Sequence, residues 1–167
     1  MGTEDDVYKV VLTLHILCAV IGFGAVYLNA LYGQEIRKRR GPEGLAIYEA
    51  NFRVSNVGQY FIYAVFVFGI ALVGMSDDAF EYGQTWVWLS IVLYLVGIGL
   101  SHGVLKPAVK RMGVLMREMI AAGPPTGGPP PQAAEMAGLG KRVGMTGATL
   151  DVLLIVIVAL MVFKPGV

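Results

Sequence analysis

The chain has 167 residues and a formal net charge of +1, with 56% of its residues hydrophobic and 15% charged. Soluble domains carry roughly 45–50% apolar and about 25% charged residues, and a globule this small leaves much of its surface exposed. Lipid is therefore the solvent for the excess apolar surface, and the charge balance implies no nucleic-acid partner. Cys18 is the only cysteine, which excludes an intramolecular disulfide and a cysteine-based metal cluster.

Crossing about 30 Å of hydrocarbon takes roughly 20 apolar residues in a helix. The first stretch of that kind covers residues 7–31 and starts after Glu4, Asp5 and Asp6. A signal peptide has a basic start and a shorter apolar core, so this stretch reads as a retained helix. Residues 35–55 follow as a basic loop with Arg37, Lys38, Arg39, Arg40 and Arg53. The second span covers 57–75, and the short loop 76–84 after it is acidic, with Asp77, Asp78 and Glu81. Tyr82, Trp86 and Trp88 around that loop are placed as interfacial aromatics.

The third span covers 86–105, and residues 106–122 continue with apolar side chains at helical spacing against Lys106, Lys110, Arg111 and Arg117. This segment reads as an extension of the span or a helix lying on an anionic leaflet, with a kink expected at Pro107. Residues 123–131 form a proline- and glycine-rich linker. The last span, 144–163, contains one charge, Asp151.

Eleven of the thirteen basic residues lie in the first and third loops. The positive-inside rule then places both loops in the cytoplasm and both termini outside, in a bacterial inner membrane. The expected fold is all-α, a single transmembrane domain built as an antiparallel four-helix bundle, N-out and C-out.

Helices in lipid gain nothing hydrophobic by packing together, so small and polar residues mark their contact faces. Span one has such a seam in His15, Cys18, Gly22, Ala25, Asn29 and Tyr32. Span three offers Ser90, Tyr94, Gly97 and Ser101, with Gly99 and Gly103 nearby, and span four offers Gly140, Gly144, Gly147 and Asp151. These faces are expected to meet in the bundle interior.

His15 and His102 are the only histidines, and both lie in spans. Ionisable groups in a membrane are functional candidates because isolation in hydrocarbon is costly, and histidine is a common haem ligand. The two differ in depth by roughly 12 Å at 1.5 Å per residue, which argues against one haem held between them. His15 alone, with haem as the cofactor, is the remaining candidate. No metal site and no catalytic residue stand out. Asp151 shares the depth of His102, so His102, Ser101 or a first-loop arginine is its expected partner, either as a structural pair or as a step in a proton path. The chain has no phosphate-binding glycine loop, no nucleophile elbow and no HExxH.

The stretch Leu14-His15-Ile16-Leu17-Cys18-Ala19-Val20-Ile21-Gly22-Phe23-Gly24 resembles the first span of a group of small bacterial membrane proteins. The group includes HemJ-type protoporphyrinogen oxidases, CopD-like copper-resistance proteins and four-helix families of unknown function. Residues 86–106, with Ser101-His102-Gly103, and the ending Met161 to Gly166 look most like the uncharacterised branch. The HemJ resemblance implies haem on His15, but the lysine those enzymes use in a later span is missing from Trp86–Val92. Their proline-arginine pair is replaced by Leu28-Asn29. No methionine or histidine cluster for copper is present.

The reading that follows is a non-catalytic accessory or assembly subunit, or a self-associating bundle. Its partners are the lipid bilayer and other membrane subunits or itself. The alternatives are a haem-binding redox protein with His15 as axial ligand and a proton- or ion-conducting bundle.

Overall fold

The structure is a computed structural model that describes residues 2–39, 41–77, 79–123, 128 and 132–166. Arg40, Asp78 and most of the expected linker 123–131 lie outside the described residues. The described residues form six α-helices: α1 Asp6–Tyr27, α2 Asn29–Lys38, α3 Pro42–Gly74, α4 Thr85–Leu100, α5 Lys106–Ala121 and α6 Gln132–Phe163. A π turn, Ser101–Leu105, joins α4 to α5 without a break.

Local chemistry sets the ends. Asp5 caps α1, its carboxylate accepting the Val7 N–H at 2.8 Å, which satisfies one of the orphan donors of the first turn. Gly41, at φ 73°, allows the reversal into α3, and Pro42 starts that helix where its missing N–H costs nothing. At the other end of α3, Ser76 is fully buried. Its hydroxyl donates to the Val73 carbonyl at 2.8 Å and accepts the Phe80 N–H at 3.0 Å, which folds the acidic loop back on itself.

Four helical rods of 33, 33, 37 and 32 residues are long and apolar enough to cross a membrane. At 1.5 Å per residue each is about 50 Å long, well beyond the roughly 30 Å of hydrocarbon. The surplus lies mostly at the basic end, so the residues expected as a first loop, 35–55, are largely helix. Side chains along the apolar stretches face outward, with Val20 66% and Val67 63% exposed. That surface suits lipid and no aqueous solvent.

The four apolar helices bear out the all-α, four-span architecture. In cross-section α1 and α2 pack along α3, α3 meets α5, and α4, the π turn and α5 pack on α6. No close packing joins α1 to α6 among the described residues. Between α3 and α4 the contact is made by large side chains, Phe66 stacking on Tyr94 at 4.8 Å and the Tyr94 hydroxyl donating to the Ile62 carbonyl at 3.0 Å.

Candidate functional site

The seam on α1 forms as expected, but it meets α3 and not the later spans. A Cβ at Gly22 would lie 2.9 Å from the Ile62 backbone nitrogen, and one at Gly58 would lie 2.7 Å from the Ala25 Cβ. Such distances are below ordinary van der Waals contact, so the glycines are what lets the two backbones approach. Asn29 continues the seam into α2 by accepting the Ser55 hydroxyl at 3.2 Å.

His15 sits in that seam, 9% exposed. Its ring lies against Gly69, where a Cβ would come within 3.2 Å of the imidazole. Nδ1 is 2.9 Å from the Val65 carbonyl oxygen. A carbonyl only accepts, so Nδ1 carries the proton and donates. Among the described residues Nε2 has no hydrogen-bond partner. One nitrogen held by a backbone carbonyl with the other left free is how a ligating histidine is oriented.

His102 has a different setting, on the π turn. The turn is closed by the Lys106 N–H bonding the Ser101 carbonyl. Pro107 follows directly and lacks an N–H. In a regular α-helix its ring would also clash with the carbonyl four residues back. The wider turn absorbs that conflict, so the proline is passed by a π turn inside one continuous rod. The π turn presents the His102 ring to α3, where Nε2 lies 2.7 Å from the Tyr63 hydroxyl and 3.1 Å from the Gln59 amide nitrogen. Gln59 turns its oxygen to the Lys106 ammonium at 3.0 Å. Its nitrogen therefore faces the ring, Nε2 accepts, and Nδ1 donates to the Ile98 carbonyl at 3.0 Å. Both ring nitrogens of His102 are thus engaged, which leaves none free for a metal.

At the basic end α5 continues the rod of α4 and is clamped by its neighbours. Tyr48 of α3 donates its hydroxyl to the Val109 carbonyl at 3.0 Å, and burial pushes its pKa up. Arg117 meets Glu49 at 2.8 Å, and Arg111 binds both oxygens of Glu135 on α6 at 2.7 and 3.0 Å. That two-pronged bond holds the Glu135 carboxyl below its usual range.

Asp151 does not meet its expected partners. Among the described residues it makes no hydrogen bond or ion pair with His102, Ser101 or a first-loop arginine. The reason is a difference of face. Gly97 of α4 faces Leu150 and Leu153 of α6, whose methyl carbons would lie 3.7 and 3.9 Å from a Cβ at that position. At about 100° per residue, Gly140, Gly144, Gly147 and Asp151 form a separate stripe, turned away from that contact. A Cβ built at any of the three glycines meets nothing within 4 Å, and no residue of α6 is buried. Gly99 and Gly103 are open in the same way.

At the acidic end Trp86 is buried, with Phe80 edge-on at 5.3 Å, while Trp88 is exposed. Sequence reasoning missed Gln59, Tyr63, Lys106 and Tyr48. A glutamine and a lysine at the basic boundary of two neighbouring spans were the available signal. Among the described residues, no group of three or more His, Cys, Asp or Glu is arranged to hold a metal ion.

A polytopic helical membrane protein is what these rods and their lipid-facing surface define. Residues 9–165 match the family model described as predicted integral membrane protein (DUF2269), and the chain belongs to that family. No curated protein and no solved structure matches it.

Proposed function

We propose that the protein is a non-catalytic membrane subunit that works by self-association through α6, with both termini outside the inner membrane. One observation carries this reading. Asp151 lies about 18 Å along the helix from Phe163 at 1.5 Å per residue, inside the apolar stretch, on the same uncovered face as Gly140, Gly144 and Gly147. A carboxyl at such depth needs a partner, and this chain supplies none among its described residues. Two parallel α6 helices related by a twofold axis set glycine against glycine and Asp151 against Asp151. One protonated carboxyl then donates to the other.

Disulfide trapping tests it. With Cys18 replaced by serine, Gly144→Cys is expected to form a crosslinked dimer in native membranes. Val156→Cys, exposed on another face of α6, is expected not to. Asp151→Leu lowers the dimer fraction without unfolding the monomer, because no intrachain bond is lost. Equal crosslinking at both positions, or a monomer throughout in sedimentation, overturns the reading.

A second reading is haem binding on His15, supported by the anchored Nδ1 and the partnerless Nε2. Val65 fixes the tautomer and Gly69 makes room for the ring, an arrangement that would suit an axial ligand. The purified protein would show a Soret band that is lost in His15→Ala and kept in His102→Ala. A colourless protein from haem-replete cells that also takes up no added haem refutes it.

A further inference from the structure

Away from the small-residue face, the surface of α6 carries an open strip of Gly138, Lys141, Arg142, Met145 and Thr146. At about 100° per residue, Lys141 and Met145 lie off both the face on α4 and the stripe carrying Asp151, and Thr146 borders the face on α4. We propose that this strip holds the headgroup of an anionic phospholipid, its phosphate between Lys141 and Arg142 and an acyl chain along Met145.

Three observations converge on it. The first is charge. Neither Lys141 nor Arg142 is in an ion pair among the described residues, so two adjacent cations are left without a carboxylate. The second is depth. Arg142 stands two residues before the apolar stretch of α6, at the level where phosphates lie, and Met145, 63% exposed, is the next turn inward. The third is room. A Cβ at Gly138 would meet nothing within 4 Å, so the helix surface leaves open space beside the two cations, with the Thr146 hydroxyl as a further donor. Juxtamembrane basic residues at an anionic leaflet attract its headgroups, each contributing about 1 kcal/mol near the surface. A zwitterionic lipid has no net charge to match them.

The experiment uses the full chain in neutral detergent, with binding followed by native mass spectrometry and thermal stability. Phosphatidylglycerol is expected to bind and raise Tm, while phosphatidylcholine and inorganic phosphate do neither. Lys141→Gln with Arg142→Gln is expected to weaken phosphatidylglycerol binding about thirtyfold, the loss of two basic residues at a charged surface. The pair Lys141→Arg and Arg142→Lys keeps it, as does Lys38→Gln with Arg39→Gln. If the double glutamine variant loses its helical circular dichroism, the single variants are measured instead, each expected to lose about fivefold. Equal binding of phosphatidylcholine, an equal shift with phosphate alone, or unchanged affinity in the glutamine variants overturns the proposal.

Discussion

Gly113 of α5 and Tyr48 of α3 make the tightest junction at the basic end, and Gly113→Ala tests it. A Cβ at position 113 would overlap the Tyr48 ring, coming within 2.6 Å of its Cε1. The ring has no free path out, because it is 8% exposed, stacked on Phe52 at 5.9 Å and tied to the Val109 carbonyl at 3.0 Å. Displacing it gives up that hydrogen bond, about 1 kcal/mol, and part of its apolar burial, on the order of 1–2 kcal/mol. Alanine regains up to about 1 kcal/mol of helix propensity. The net loss is therefore about 1–2 kcal/mol. In a Tyr48→Ala background the obstacle is gone, and the same glycine replacement becomes neutral or stabilising by up to about 1 kcal/mol. The coupling between the two sites is then on the order of 2–3 kcal/mol. Unfolding of the four variants in one detergent, read by circular dichroism, gives the cycle. A Gly113→Ala cost that is the same in both backgrounds refutes the packing argument.

Other outcomes follow from the same geometry. Arg111 depresses the Glu135 carboxyl. That pair therefore stabilises at neutral pH, and the benefit disappears as pH falls through the ordinary glutamate value of about 4.3 and below it. Tm measured against pH should fall less steeply there in Glu135→Gln than in the parent. Tyr63→Phe removes a donor to His102 and should cost about 0.6 kcal/mol, the average for hydrogen bonds within membranes. Unfolding of the purified variant measures it, and a cost above about 2 kcal/mol would exceed what one such bond supplies. A cytoplasm-active reporter fused after residue 167 should be silent and a periplasm-active one active, since both basic loops are expected inside.

The four spans were legible because 20-residue apolar runs have few alternatives. The α1 seam was legible too, since His15, Gly22 and Ala25 keep a strict three–four spacing. Its partner was not, because the spacing of one helix says which face packs and nothing about which neighbour arrives. Residues 35–55 read as a loop on account of their charge, yet Gly41-Pro42 is a helix-start signal, and α3 runs unbroken from there. Asp151 shows the limit of depth as an argument. Equal depth with His102 is necessary for contact, but a face difference of a third of a turn on α6 separates them. Proline chemistry fixed that something irregular lies near position 107. Whether the helix would bend or widen depends on α3 and α6, which the local sequence does not contain.

The π turn has a consequence for the register of the third rod. A helix advances by about 100° and 1.5 Å per residue, and a π turn holds one residue more than an α turn over the same height. Winding the same residues as regular α-helix, with none removed, would turn everything after Leu105 by about 100° and push it about 1.5 Å further along the axis. Lys106, Val109, Gly113 and Arg117 would all swing off α3 together, losing Gln59, Tyr48 and Glu49 at once. The extra residue acts as a phase offset between two halves of one rod. It lets the lipid-embedded half face α6 through Gly97 while the basic half faces α3 through Gly113.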